Sequence, residues 1–353
     1  MKSKRSAKKT NPKLVSIGSI SSASLLINGF YHQRENLTAV VSTTDTGSST
    51  GIIRKKFSMP APGDVRAVLA AMGEAKGSQN WLKKLFEYRF KPEHLSELPN
   101  TAFGNLFLAA LTDMLGSFPA AAEIAGELLG IKGKILPVTA ANTHLKAVLA
   151  DGRELEGEKD IRRVGKPAIE KIFLKDDSAT LGEGVAEAVM DADMVLIGPG
   201  CLYTSILACL VVPQLPEVLC RTRAKKIVCC NTTTTPGQTD GVTVLDHVKI
   251  ITHYMNNHPP DYVLINNNRP RPEIEKAYQT DDLHVIMPDS DESKKIKALG
   301  CTPILADFLE EDWRGKRTLH KLDTIRHDAA KIKAVLMEIY YKEQEGGEQN
   351  EFS

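Results

Sequence analysis

Asp193-Met194-Val195-Leu196-Ile197-Gly198-Pro199-Gly200-Cys201-Leu202-Tyr203-Thr204-Ser205 is the stretch whose reading decides the fold. Residues 194–197 are four apolar residues in a row, too few for a helix and without polar alternation. They predict a central strand covered on both faces. Gly198-Pro199-Gly200 ends it, because glycine adopts dihedrals closed to other residues and proline removes a donor. A helix is predicted from about Thr204. Unpaired N–H groups and the positive end of a helix at such a turn favour an anion, with the Thr204 and Ser205 hydroxyls close by. The same tripeptide also makes a bare strand-to-helix turn, so its context has to decide.

The whole chain sets the limits. Its 353 residues suit one large α/β domain with insertions, or two domains. Hydrophobic residues at 42% and charged residues at 25% are ordinary for a globular protein. A net charge of +1 offers no general attraction to nucleic acid, and no nucleic-acid-binding motif is present. No apolar run approaches the roughly 18 residues of a membrane span, and the basic start lacks the apolar region of a signal peptide. A cytoplasmic protein is expected. Its six cysteines form no Cys-x-x-Cys pair and read as buried reduced thiols.

Residues 1–11 are basic and almost without apolar side chains, which predicts a flexible tail; 342–353 predict a disordered acidic one. The domain is placed at 12–341. A strand at 14–17 and a helix at 24–30 enclose Gly18-Ser19-Ile20-Ser21-Ser22, where an α/β nucleotide site has its glycine-rich loop. A strand at 37–42 leads to Asp45, either an acid for ribose hydroxyls or a turn aspartate bonded to its own backbone. Asp64 precedes a helix through Met72 and is read as a helix cap or as chemistry. Trp81, Leu82, Leu85 and Phe86 have core spacing. Asn105 is polar at the start of an apolar helix and wants a partner. A β-hairpin insertion turning at Asp151-Gly152 is predicted over about 134–174. Strands are predicted at 226–230, 261–265, 284–287 and 303–306, and a last helix from Asp328. This alternation predicts a doubly wound, mainly parallel sheet with helices on both faces.

Taken together, the motifs resemble the 2-phospho-L-lactate transferase-like (CofD-like) family, and within it the bacterial gluconeogenesis-factor (YvcK-type) branch. The pieces run in order: Pro62-Gly63-Asp64-Val65-Arg66, then Gly104-Asn105 with the apolar residues 106–111, then Asp151-Gly152-Arg153. Gly198-Pro199-Gly200-x-Leu202-Tyr203-Thr204-Ser205, Pro236-Gly237-x-Thr239-Asp240-Gly241, Asp246-His247 and Ile325-Arg326-His327-Asp328 follow. Agreement in order over residues 14–336 is specific where no single piece is.

The resemblance implies a Rossmann-like domain that binds a nucleotide or nucleotide sugar. The implied nucleotide-binding set is Gly18, Ser19, Ser21, Ser22, Asp64, Arg66, Asn105, Gly198, Pro199, Gly200, Tyr203, Thr204, Ser205, Asn231 and Arg326. Some family members transfer a phospholactyl group from a GDP-type donor to a deazaflavin alcohol with magnesium, for which Asp45 and Asp64 are the candidate catalytic and metal-binding acids. Others bind UDP-sugars and support cell shape and wall synthesis. The segment 325–328 looks like the second group. A third alternative is a diverged scaffold that binds no nucleotide. The family's first loop, Gly-Gly-Gly-Thr-Gly, keeps only Gly18 here, and β-branched Ile20 resists positive φ. Thr44 stands where the family has a first aspartate, and Thr101 where it has a histidine. Losing one carboxylate makes binding the leading expectation over transfer. The oligomeric state is left open, a homo-oligomer included.

Overall fold

A computed structural model describes residues 11–74, 76–311 and 325–350; the predicted basic tail at 1–10 lies outside them. Seven strands form the main sheet: β1 (Leu14–Gly18), β2 (Leu37–Val41), β3 (Lys134–Pro137), β7 (Met194–Ile197), β8 (Lys225–Cys229), β9 (Tyr262–Asn266) and β10 (Thr302–Ala306). Three more, β4 (Leu145–Leu149), β5 (Glu154–Glu156) and β6 (Ile169–Leu174), make a separate antiparallel sheet in the order β5-β4-β6. The main sheet runs β10-β9-β8-β7-β1-β2-β3, with every neighbouring pair parallel.

The opening stretch therefore supplies the middle strand. All four residues of β7 are buried, as an apolar run without alternation requires. Their side chains split between two cores: Val195 and Ile197 face one, Met194 and Leu196 the other. The helices Ile20–Gly29, Gly63–Met72 and Phe103–Leu115 cover the second face, together with Ile332, Leu336 and Ile339 of the last helix. The first face is covered by the helices Leu207–Leu210 and Val244–Tyr254 and by the apolar side of the small sheet. The doubly wound reading is correct.

Several local expectations are corrected. The insertion is a three-stranded sheet starting at Leu145, and residues 134–137 belong to the edge of the main sheet instead. Only its turn is as read, with Asp151 Oδ2 accepting from Arg153 Nε at 2.7 Å. Residues 284–287 are no strand of the sheet: Val285 makes one antiparallel bridge to Thr233, and Ile286 N–H donates to the Thr232 carbonyl at 2.8 Å. In the helix Gly77–Glu87, Phe86 is buried, but Trp81 is 71% exposed and Leu85 42%. The pairs 82/86 and 81/85 share the same four-residue spacing, so periodicity cannot say which row faces inward. The last helix, Ala329–Asn350, continues past Glu343, whose Oε1 accepts from the Tyr262 hydroxyl at 2.6 Å. Glu343 thus belongs to the folded domain.

No single helix among the described residues is long and apolar enough to cross a membrane. The pair Leu202–Leu210 and Leu215–Arg221 passes by composition only when joined across a 71° bend. The first of these helices is wholly buried in the core, which explains its apolar composition.

Truncating the fully buried Ile197 to alanine removes packing from the middle strand. A loss of about 2–5 kcal/mol in urea unfolding is expected, against less than about 0.5 kcal/mol for Trp81→Ala.

Candidate functional site

The chain runs β1 to β2 and β3 on one side, then returns to place β7 on the other side of β1, followed by β8, β9 and β10. This reversal makes the carboxyl ends of β1 and β7 the switch point of the sheet, where a crevice is the usual ligand position in open α/β sheets. Ile17 pairs with Ile197, so Gly18 and Gly198 leave the sheet side by side.

Both turns are glycine-dependent. Gly18 has φ +142°, and a Cβ there would lie 2.9 Å from Ser22 Oγ. Gly198 has φ +73°, with its Cβ position 2.8 Å from Ile206 and 3.1 Å from the Cys229 carbonyl. The Gly198-Pro199 peptide is cis. Asn231 grips the turn from β8: its Oδ1 accepts from Gly200 N–H at 3.0 Å and its Nδ2 donates to the Gly200 carbonyl at 2.8 Å. The Gly200 N–H is thereby taken, and serine side chains lie around the turn. Ser19 Oγ would lie 3.4 Å from a Cβ on Gly200, and the Ser21 and Ser205 Cβ atoms 3.7 and 3.8 Å.

The first loop is shorter than expected. The helix begins at Ile20 with Ser19 as its N-cap residue, so Ser21 and Ser22 lie in the first helical turn and Ser22 Oγ donates to the Ser19 carbonyl at 2.9 Å. Ile20 occupies a helical position and needs no positive φ, which is how the sequence tolerates it. Thr204 Oγ1 donates to Gln238 Oε1 at 3.4 Å, leaving the buried Gln238 Nε2 without a partner. Tyr203 points away: its hydroxyl donates to the Ile169 carbonyl at 3.3 Å, and burial pushes its pKa up to about 12.

Asp45 and the helix start bearing Asp64 follow neighbouring segments, joined where Ala61 N–H donates to the Thr43 carbonyl at 3.0 Å. Asp45 Oδ1 accepts from Gly47 N–H at 2.6 Å, the turn geometry expected of an aspartate there. Its charge reaches Arg54 and Arg162. Asp64 lies in the first turn of Gly63–Met72, whose N-cap is Pro62, and its charge reaches Cys209, whose Sγ is 3.6 Å from the Gly18 carbonyl. Asp45 lies in the field of two guanidinium groups, Arg54 and Arg162, which opposes a further cation beside it. Among the described residues no three His, Cys, Asp or Glu side chains gather to hold an ion.

A polar nest adjoins Asp64. Asn105 is buried, its Nδ2 donating to Thr50 Oγ1 at 3.5 Å, and its Oδ1 has no partner. Thr101 Oγ1 and Arg66 Nε are likewise buried without partners. Burial, with Arg89 nearby, pulls the Arg66 pKa down to about 10. Arg326 lies further along the edge, since Thr232 Oγ1 donates to the carbonyl of its neighbour Ile325. It lines a cavity of about 210 Å³ with Asn268, Arg269, Arg271 and Asp307. That position is beyond β8, near the ends of β9 and β10, rather than over Gly18. Asp246 completes a capping box with Thr243, and His247 is buried in the core; neither belongs to the crevice. All six cysteines are thiols.

Sequence reasoning missed Arg162. It follows the short helix Glu158–Ile161 of the insertion, donates to Glu158 Oε1 at 2.9 Å, and lies within the electrostatic reach of Cys201 and Asp45. Burial works against its charge, but Cys201, Glu158 and Asp45 outweigh it and hold the pKa above the ordinary arginine value. Nothing in a run reading Ile161-Arg162-Arg163 announces this, because the insertion reaches the crevice only through tertiary packing.

This combination of sheet, reversal point and glycine turns defines a Rossmann-like α/β protein, and residues 15–309 match the family described as 2-phospho-L-lactate transferase CofD. The chain belongs to that family, in its gluconeogenesis-factor branch. It is 33% identical over 328 residues to the Gluconeogenesis factor of Bacillus subtilis (strain 168), covering 93% of this chain and 98% of that relative. It is 34% identical over 327 residues to the Gluconeogenesis factor of Halalkalibacterium halodurans, covering 92% and 95%. A crystal structure of a UPF0052 family member from Bacillus halodurans superposes with a TM-score of 0.82 at 30% identity, covering 92% of this chain and 99% of that one.

Two consequences are measurable. Asn231→Ala removes both bonds to Gly200 and is expected to cost about 1–3 kcal/mol in urea unfolding. Burial also lowers the pKa of His247 and of His327 to about 4, whereas an unfolded histidine titrates near 6.5. The unfolded chain then binds protons more readily, so stability is complete above about pH 6.5 and falls as the pH drops toward about 4. Urea unfolding at about pH 7.5 and about pH 5 is expected to show this loss, and His247→Leu to reduce it.

Proposed function

We propose that this chain is a cytoplasmic nucleotide-sugar-binding regulator of the gluconeogenesis-factor type, with UDP-sugars as its ligand class, supporting cell shape and wall synthesis. The observation that carries the reading is the juxtaposition of Gly18 with Gly198 at the reversal point of the sheet. There the N-terminus of the helix Ile20–Gly29 and the hydroxyls around Gly200 favour a diphosphate. The carboxyl edge then runs from Asp45 past this crevice to the Arg326 cavity. It crosses several strand spacings of about 4.8 Å, a length suited to an extended nucleotide sugar rather than to a lone phosphate.

Binding without transfer is favoured by the surroundings of Asp45. A carboxylate accompanied by Arg54 and Arg162 is a poor magnesium ligand, since both cations oppose a third. The direct test is a thermal-shift panel of UDP-N-acetylglucosamine, GDP and NAD, each with and without magnesium. A ligand that binds only the folded chain raises its melting temperature, and the expected result is a rise with the UDP-sugar that needs no magnesium. A rise confined to GDP with magnesium, lost in Asp64→Asn, would favour the transferase instead. No rise with any compound at millimolar concentration would leave a scaffold without nucleotide binding.

A further inference from the structure

The insertion sends one segment back across the carboxyl edge of the main sheet. Residues 157–166 are tied at one end to the loop after β2: Glu158 N–H donates to Thr46 Oγ1 at 2.7 Å. Gly157 has φ +86° and presses so closely on the same hydroxyl that a Cβ would stand 2.8 Å from it. The other end is tied to the loop after β8. Lys166 Nζ donates to the Gly237 carbonyl, and a Cβ on Gly237 would lie 2.7 Å from the carbonyls of Arg162 and Arg163. In the order β8-β7-β1-β2 the two anchoring loops follow strands that are separated by β7 and β1. By that order the segment is a strap that passes the carboxyl ends of β7 and β1.

Arg162 sits where that strap meets the loop after β8, its carbonyl against Gly237. Its side chain is 19% exposed, and its one hydrogen-bond partner among the described residues is Glu158, itself 8% exposed. It lies near Cys201, the residue after the glycine turn, and in the field of Asp45. The other basic groups nearby are otherwise engaged. Arg54 bonds Asn142 and His144, Lys166 bonds Gly237, and Arg163 is exposed.

We propose that Arg162, carried on this strap, is the cation that meets the diphosphate of the ligand, with Glu158 as its resting partner; this rests on the nucleotide-sugar reading above. The crevice needs such a group. Asn231 occupies the Gly200 N–H, and the first loop has a single glycine, so few backbone donors remain for phosphate. A guanidinium carries five N–H donors in a planar fork that matches phosphate oxygens. Glu158 holds the fork in place and releases part of it when a stronger anion arrives.

The test uses the full chain, with inorganic pyrophosphate and UDP-N-acetylglucosamine as separate probes in titration calorimetry. In Arg162→Met both are expected to bind about 10- to 100-fold more weakly, the usual loss for charge-assisted bonds, and Arg162→Lys is expected to recover part of it. Glu158→Gln, which removes the competing charge, is expected to bind pyrophosphate several-fold more tightly and provides a second reading if Arg162→Met fails to fold. Wild-type binding of both probes that neither Arg162→Met nor Glu158→Gln changes would overturn the role of Arg162 and leave the nucleotide-sugar reading standing. Pyrophosphate binding that depends on Arg162, without UDP-sugar binding, would support Arg162 and remove the nucleotide-sugar reading. Absence of both from the wild-type chain would remove both claims.

Discussion

The parallel pairing of β1 with β7, in register from Leu14 opposite Met194 to Ile17 opposite Ile197, is the constraint on which the rest of the molecule depends. Strands 180 residues apart in sequence become neighbours, and the chain winds outward from them in both directions. Each contributes alternate side chains to two separate cores, so a shift of register by one residue would exchange the faces of both. The same pairing sets two glycine turns side by side. Stability and site geometry thus have one origin.

Around that origin the site is assembled from parts with different duties. Asn231 holds the Gly200 turn in shape. Tyr203 ties the segment after the turn to the small sheet. The small sheet in turn returns a strap whose anchors are Thr46 and Gly237. Residues grouped together by their motif therefore divide into those that shape the crevice and those that can touch a ligand. Buried polar atoms without partners, at Asn105, Thr101, Arg66 and Gln238, mark where the polypeptide alone leaves hydrogen bonding incomplete, and each unmade bond is costly in a dry interior.

The altered first loop is the clearest case of local chemistry yielding to context. Ile20 is incompatible with a glycine-like turn, and the chain responds by starting the helix at that residue. Gly18 alone then makes the close approach, where even a Cβ would meet Ser22 Oγ. Serine side chains gather where backbone donors are fewer, and the Arg162 guanidinium comes from an insertion more than a hundred residues away.

The sequence by itself determined the strand-helix alternation, the middle strand and its glycine turn, and the family, because these rest on short-range patterns of apolarity and on residues with special backbone freedom. It left Asp45 between a ribose-binding acid and a turn aspartate, and the bond from Gly47 N–H to its Oδ1 shows the turn geometry. Only the tertiary structure decided which row of the helix Gly77–Glu87 faces inward, since rows 81/85 and 82/86 are equivalent in periodicity and differ only in what lies beside them. It also decided that residues 134–137 join the main sheet, that Arg326 stands beyond β8, and that the segment carrying Arg162 is tied to the loops after β2 and β8. Each of these depends on which distant segments pack together, and one-dimensional spacing holds no record of that.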